Sequence, residues 1–300
     1  MGRLKIIGSL FLSLGFSGFC VAQIPKNLQE ANKLFFVKGG KTTIGDSSEI
    51  DAPPFQTKVK NFRMQAYEVT NAQFAAFVQK THYKTLAERN GGSYVFEPHA
   101  KVDSLSIPGT PWWHFEKGAD WQHPEGKNSS IDGKDFYPVT HISYEDAKCY
   151  CAAQGMDLPT EVEWEYAAQK NGILPKKNVF QGHFPDKNSV KDGFEETSPV
   201  GYFGSGKIGL FDLQGNVWEW CLDPYHPNAY RYAKIGTTPS CEPLVPKSFD
   251  ATSPNEDMRV IRGGSFLCND SYCSGYIPTR RMRASTKMTF QHIGFRCVKR

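Results

Sequence analysis

Apolar residues recur at helical spacing in three places, and each run follows a hydroxyl residue with Gln, Asp or Glu three positions on. Behind Thr70 and Gln73 stand Phe74, Phe77 and Val78. Behind Ser143 and Asp146 stand Ala147, Tyr150 and Cys151, until Gly155 ends the run. Behind Thr160 and Glu163 stand Val162, Tyr166 and Ala167. A hydroxyl at a helix start accepts a bond from a free backbone N–H, and the side chain three residues later reaches back to the chain. Each pattern therefore predicts a capped helix with one buried face. Strand-like stretches are short, chiefly Arg259 to Arg262 and Gly294 to Val298. Turn-forming Pro and Gly segments fill the intervals, with no internal repeat and no shift in composition. The pattern predicts one loop-rich α+β domain with little regular secondary structure.

The amino end reads differently. Arg3 and Lys5 precede an uncharged run from Ile6 to Phe19, and Cys20-Val21-Ala22 follows. Basic, apolar and small-residue regions in that order predict a secretory signal over residues 1–22, too short to span a bilayer. Lipid attachment at Cys20 is disfavoured by the bulk of Phe19. Residues 23–34 are a lead-in and 35–300 the domain proper, so a secreted or periplasmic protein without a later membrane segment is expected. Losing Arg3 and Lys5 takes the formal net charge from +4 to +2. The remaining charges are interspersed by sign, which excludes a nucleic-acid footprint. A monomer is expected.

Seven cysteines lie beyond the signal: Cys149, Cys151, Cys221, Cys241, Cys268, Cys273 and Cys297. In an oxidising compartment most should pair, and an odd number leaves at least one thiol over. Cys268 and Cys273, five apart, read on spacing alone as an ordinary disulfide. Two thiolates brought together also form a soft, two-coordinate site that suits Cu(I) better than Zn(II).

Several segments carry a specific resemblance. They are YEVTNAQFAAFV from Tyr67, PWWHFEKGADWQHPEG from Pro111, PVTHISYEDAKCYC from Pro138, LPTEVEWEYAA from Leu158, GLFDLQGNVWEW from Gly209, RGGSFLCNDSYC from Arg262 and GFRC from Gly294. In this order they resemble the formylglycine-generating enzyme, or sulfatase-modifying factor, family, whose fold is related to C-type lectin domains. The resemblance implies a copper-dependent oxidase. Cu(I) would sit on Cys268 and Cys273, dioxygen would be the co-substrate, and a client sulfatase cysteine in a Cys-x-Pro-x-Arg segment would become Cα-formylglycine. Trp218, Ser265, Tyr272, Arg281 and His292 map beside the pair or in the client groove. A structural disulfide is implied between Cys151 and Cys297.

Two calcium sites are also implied. One uses Asn178, Val179, Asp192 and Phe194, and the other Asp212, Gly215, Val217 and Glu219. Read without the resemblance, the first is more commonly a solvated acidic loop. Cys221 and Cys241 could form a bridge of their own, leaving Cys149 as the buried spare. The chain departs from the family around the groove. Asn269-Asp270 stands where His-Arg is usual, Gly275-Tyr276-Ile277 where Arg-Tyr-Arg is usual, and Thr286 to Phe290 replaces a Thr-Pro-Asp-Ser-Ser stretch. These changes leave open a same-fold copper oxidase for another thiol or a secreted small molecule. A lectin-like binding module without catalysis also remains open.

Overall fold

The computed structural model describes residues 22–99, 102–233 and 240–300. The expected signal segment, Ala22 excepted, lies outside the described residues. Among these, no helix is long and apolar enough to cross a membrane.

The described residues contain six helices: α1 Leu28–Ala31, α2 Asn71–Thr81, α3 Leu86–Asn90, α4 Tyr144–Ala153, α5 Glu161–Asn171 and α6 Ala229–Ala233. The three expected capping boxes all form, at Thr70, Ser143 and Thr160, with both reciprocal bonds made. A fourth, at Thr85 with Glu88, starts α3 and was not anticipated.

The strands are short and spread over five small sheets. β1 (Leu34–Val37) and β14 (Val298–Lys299) flank β4 (Phe62–Gln65), and β2 (Gly40–Ile44) pairs with β3 (Phe55–Val59). β7 (Thr110–Lys117) runs between β5 (Gly92–Phe96) and β6 (Ser106–Ile107), while β8 (Gly182–His183) and β9 (Lys187–Asn188) form a hairpin. The largest sheet has the order β12 (Arg281–Ser285), β11 (Met258–Arg262), β10 (Trp218–Pro224) and β13 (Ile293–Gly294). The strand expected at Arg259 to Arg262 is thus β11. The one expected at Gly294 to Val298 is split between β13 and β14. The residues between are spent on other partners: the Arg296 guanidinium turns inward to Glu219, and Cys297 is bonded to Cys151 of α4.

That bond links residues 146 apart, as the resemblance implied. Closing so long a loop restricts the unfolded chain, worth roughly 2–4 kcal/mol. The suggested Cys221–Cys241 bridge does not form. Cys221 is buried in β10 while Cys241 lies in a separate turn, and both are free thiols. Cys149 is unpaired but half-buried, so it is not the buried spare expected.

Helix α5 shows how the charged residues are accommodated. Glu161, Glu163 and Glu165 are all buried, and each meets an arginine from the last third of the chain. Glu161 pairs with Arg281, Glu165 with Arg262 and Glu163 with Arg300. Buried carboxylates are tolerated only with such partners. The result pins α5 against β11 and β12, the strands on either side of the cysteine segment in the chain.

Candidate active site

The chain leaves β11 through Gly263 and Gly264, both at positive φ. A Cβ on Gly264 would sit 2.5 Å from the Tyr276 backbone nitrogen, so this close approach requires glycine. The turn then delivers Ser265 and Cys268. The Cys268 N–H donates to the Ser265 carbonyl (3.0 Å), and its own carbonyl accepts from Phe180 N–H (3.0 Å). Cys268 is 1% exposed, Cys273 is half-buried, and the two are joined by a disulfide.

This pair forms part of the wall of a cavity of about 330 Å³ that also takes in Trp112, Trp113, Trp218, Phe184 and His292. Trp218 is fixed from two sides. Its N–H donates to the His292 carbonyl (2.9 Å), and Gly275 lies so close that a Cβ there would fall 2.2 Å from the indole. Tyr272, 43% exposed, stacks on Phe184 at 4.0 Å and meets Trp112 edge-on at 5.5 Å. Ser265 is buried at the cavity wall, its hydroxyl accepting from Leu267 N–H (3.3 Å).

His292 stacks on Trp113 at 4.4 Å. Its Nδ1 is buried with no hydrogen-bond partner among the described residues. Burial, helped by His141, pushes its pKa down to about 3, so the imidazole is neutral at ordinary pH. A neutral ring in the wall it shares with the two sulfurs adds no charge to the cavity.

Of the expected site residues, Cys268, Cys273, Trp218, Ser265, Tyr272 and His292 all line this cavity. Arg281 does not. Its guanidinium is wholly buried, paired in two-pronged fashion with Glu161 (3.0 and 2.8 Å) and donating to the His226 and Asp51 carbonyls. A charge so far from water stays with its internal partner, so the expected place in the client groove is corrected to a structural one. The arginine at the cavity is Arg283, held by Asp250.

The oxygen-rich loops divide. Asn178 donates through Nδ2 to the Glu196 carbonyl (2.8 Å) and to Asn216 Oδ1 (3.2 Å), but its own buried Oδ1 has no partner. Asp192 accepts from Val179 N–H (3.3 Å) and Phe194 N–H (3.1 Å), which brings the four expected residues together. The orphaned Asn178 Oδ1 is a hard oxygen donor of the kind calcium takes.

In the second set, Asp212 accepts from Gly201 N–H, and the N–H of Val217 donates to Glu68 (3.3 Å). Gly215 N–H is spent on the Gly263 carbonyl. Both Glu219 oxygens are held by Arg296 at 2.7 Å, with Trp164 Nε1 at 2.8 Å. Burial, then Asp212 and Glu219, push the Glu68 carboxyl well above its usual range, and burial raises Asp212 to about 6. Three buried carboxyl groups thus stand near one another, and Arg296 pairs directly with Glu219. That arrangement fits calcium less well than the first set. Sequence reasoning assigned no role to Glu68 or Arg296, although both lie in the motifs at Tyr67 and Gly294.

Among the described residues no three His, Cys, Asp or Glu side chains cluster as a metal set. Once its disulfide is reduced, the cysteine pair would offer a metal two sulfurs, a donor set that fits a soft monovalent ion awaiting a further ligand.

The sulfatase-modifying factor enzyme 1-like domain family matches residues 21–300. The chain belongs to this family. Among curated family relatives, the formylglycine-generating enzyme of Streptomyces coelicolor is 37% identical over 286 residues, covering 87% of this chain and 87% of its own. That of Mus musculus is 36% identical over 291 residues, covering 89% of this chain and 74% of its own. A second mouse relative, named an inactive C-alpha-formylglycine-generating enzyme 2, is 33% identical over 282 residues, covering 87% and 83%. Family membership alone therefore does not decide activity. Among solved structures, PvdO from Pseudomonas aeruginosa superposes with a TM-score of 0.59 over 93% of this chain and 98% of its own. At 20% identity that likeness concerns the fold alone.

Proposed function

We propose that the chain is a formylglycine-generating oxidase that converts a cysteine of a client sulfatase to Cα-formylglycine. The observation that carries this reading is the Cys268–Cys273 pair set in the wall of an aromatic cavity, with Trp218, Ser265 and the neutral His292 around it. Relatives at 36 and 37% identity named as formylglycine-generating enzymes support it.

Once reduced, the two sulfurs are the residues that would hold Cu(I), which would supply dioxygen activation. The chain's own parts do the rest. Trp112, Trp113 and Trp218 exclude water from the reacting sulfur. The hydroxyl of Ser265 and the imidazole of His292 meet the client backbone and place its β-carbon. Loss of one hydrogen from that carbon and one from its sulfur, with two electrons passing to dioxygen, leaves a thioaldehyde, which water converts to the aldehyde with release of hydrogen sulfide. The client is a sulfatase segment of Cys-x-Pro-x-Arg type, met outside the cytoplasm by a monomeric enzyme. Calcium at Asn178 and Asp192, with the carbonyls of Val179 and Phe194, would brace the loop behind Cys268.

The test is to incubate purified protein with Cu(I), oxygen and a Cys-x-Pro-x-Arg peptide and to look for aldehyde by mass spectrometry. Turnover is expected in the wild type and absent in Cys268→Ser and Cys273→Ser, with thermal melting of both variants little changed. Full activity in either variant would refute the assignment.

A further inference from the structure

The segment between the two cysteines is held by one residue. The backbone carbonyl of Asn269 accepts from three successive N–H groups, those of Tyr272 (3.3 Å), Cys273 (3.1 Å) and Ser274 (2.9 Å). Its side-chain Oδ1 accepts from Tyr272 N–H (2.8 Å) and from the Ser271 hydroxyl (3.1 Å). Its Nδ2 donates outward to the carbonyl of Gly182 (3.2 Å), at the start of the β8–β9 hairpin. That hairpin carries Phe184, the ring stacked on Tyr272. Asn269 is itself 7% exposed, so these bonds are shielded from competing water.

None of these contacts involves sulfur. Cys268 is anchored separately, through Ser265 and Phe180, and the far side of the segment presses Gly275 against Trp218. A four-residue segment lacking such anchors would let its ends drift once the S–S bond opened, at the entropic cost of bringing them back.

We propose that Asn269 is a positioning residue that keeps the sulfurs of Cys268 and Cys273 opposed whether or not they are bonded. The proposal rests on the reading of this pair as the reactive one. Its role is to present two thiols already at the spacing that a soft ion or an incoming disulfide requires, so that no ordering cost falls on the step itself.

The experiment measures the thiol–disulfide equilibrium of the pair in the full-length protein against glutathione. Two thiols become one disulfide, while two electrons and two protons pass to glutathione disulfide, which leaves as two glutathiones. The equilibrium constant reports how closely the two thiols are held. Alkylation and peptide mapping confirm that Cys151–Cys297 stays oxidised throughout.

Asn269→Ala is expected to lower this constant about tenfold, the scale of one buried hydrogen-bonding group lost. Asn269→Asp, which keeps the Oδ1 acceptor but sets a second oxygen against the Gly182 carbonyl, is expected to lose less than Asn269→Ala. Should Asn269→Ala fail to fold, Asn269→Leu, of similar shape without polar atoms, takes its place. An unchanged constant in the apolar variant, or a loss in Asn269→Asp as large as in alanine, would overturn the proposal. The measurement uses neither copper nor client. A normal constant with no aldehyde formation from the wild type would therefore sink the oxidase reading and leave this one standing.

Discussion

Replacing Arg281 with methionine separates a structural role from a client-binding one. The side chain makes two bonds to Glu161 and two to backbone carbonyls, and packs over the rings of Tyr225 and Tyr230 at 5.0 and 4.9 Å. Burial pushes the Glu161 carboxyl above its ordinary value, and Arg281 is the strongest of the groups pulling it back. Breaking a buried pair in this way costs about 3–5 kcal/mol, because the remaining charge is left without its partner. Arg262 still stands 3.5 Å from Glu161, which places the expected loss near the lower figure. At roughly 2–4 °C per kcal/mol for a domain of this size, about 3 kcal/mol lowers the melting temperature by about 6–12 °C. In Arg281→Met/Glu161→Gln no unpaired carboxylate remains, so the double variant should be more stable than Arg281→Met alone. Urea and thermal unfolding of the wild type, both single variants and the double variant close the cycle. A loss below about 1 kcal/mol in Arg281→Met, together with a raised KM for the client peptide, would refute this reasoning and return Arg281 to the groove.

His141 is buried with Ser93 Oγ at 2.7 Å and the Pro124 carbonyl at 2.9 Å, and burial pushes its pKa down to about 4 from 6.5. The unfolded chain binds the proton first. Stability should therefore fall as pH drops from 6.5 toward 4, by about 3 kcal/mol, with His292 adding a loss of the same sign. Urea titrations across that range check it, and a His141→Gln variant with an equally steep slope would count against the assignment. Removing calcium with a chelator should lower the melting temperature of the wild type but not of Asn178→Ala. Saturating ion at a hundredfold its Kd is worth about 2.7 kcal/mol, so equal melting of chelated and calcium-loaded wild type would rule out the first site.

What could be read in advance was what the chain settles locally. The caps at Thr70, Ser143 and Thr160 depend on residues three positions apart, so their helices were legible in the residue pattern. Thr85 with Glu88 obeys the same rule, but its helix is only five residues long and leaves too few turns to show a periodicity. The cavity was legible through the family motifs, which place Trp218, Ser265, Cys268 and Cys273 in one wall. Arg281 was misplaced because its true partner, Glu161, lies 120 residues away. The Cys221–Cys241 suggestion failed for a related reason. A separation of twenty residues says nothing of whether one thiol faces the core from β10 while the other sits in a turn.

The join between the two ends of this domain bears on how it is made. Val298 completes the sheet that β4 begins, and Cys297 holds the helix that starts at Tyr144. During synthesis the front half must therefore wait, apolar faces unsatisfied, until residues 293–299 have emerged. Folding cannot be finished piece by piece behind the growing chain, and a holding chaperone would have its longest task here.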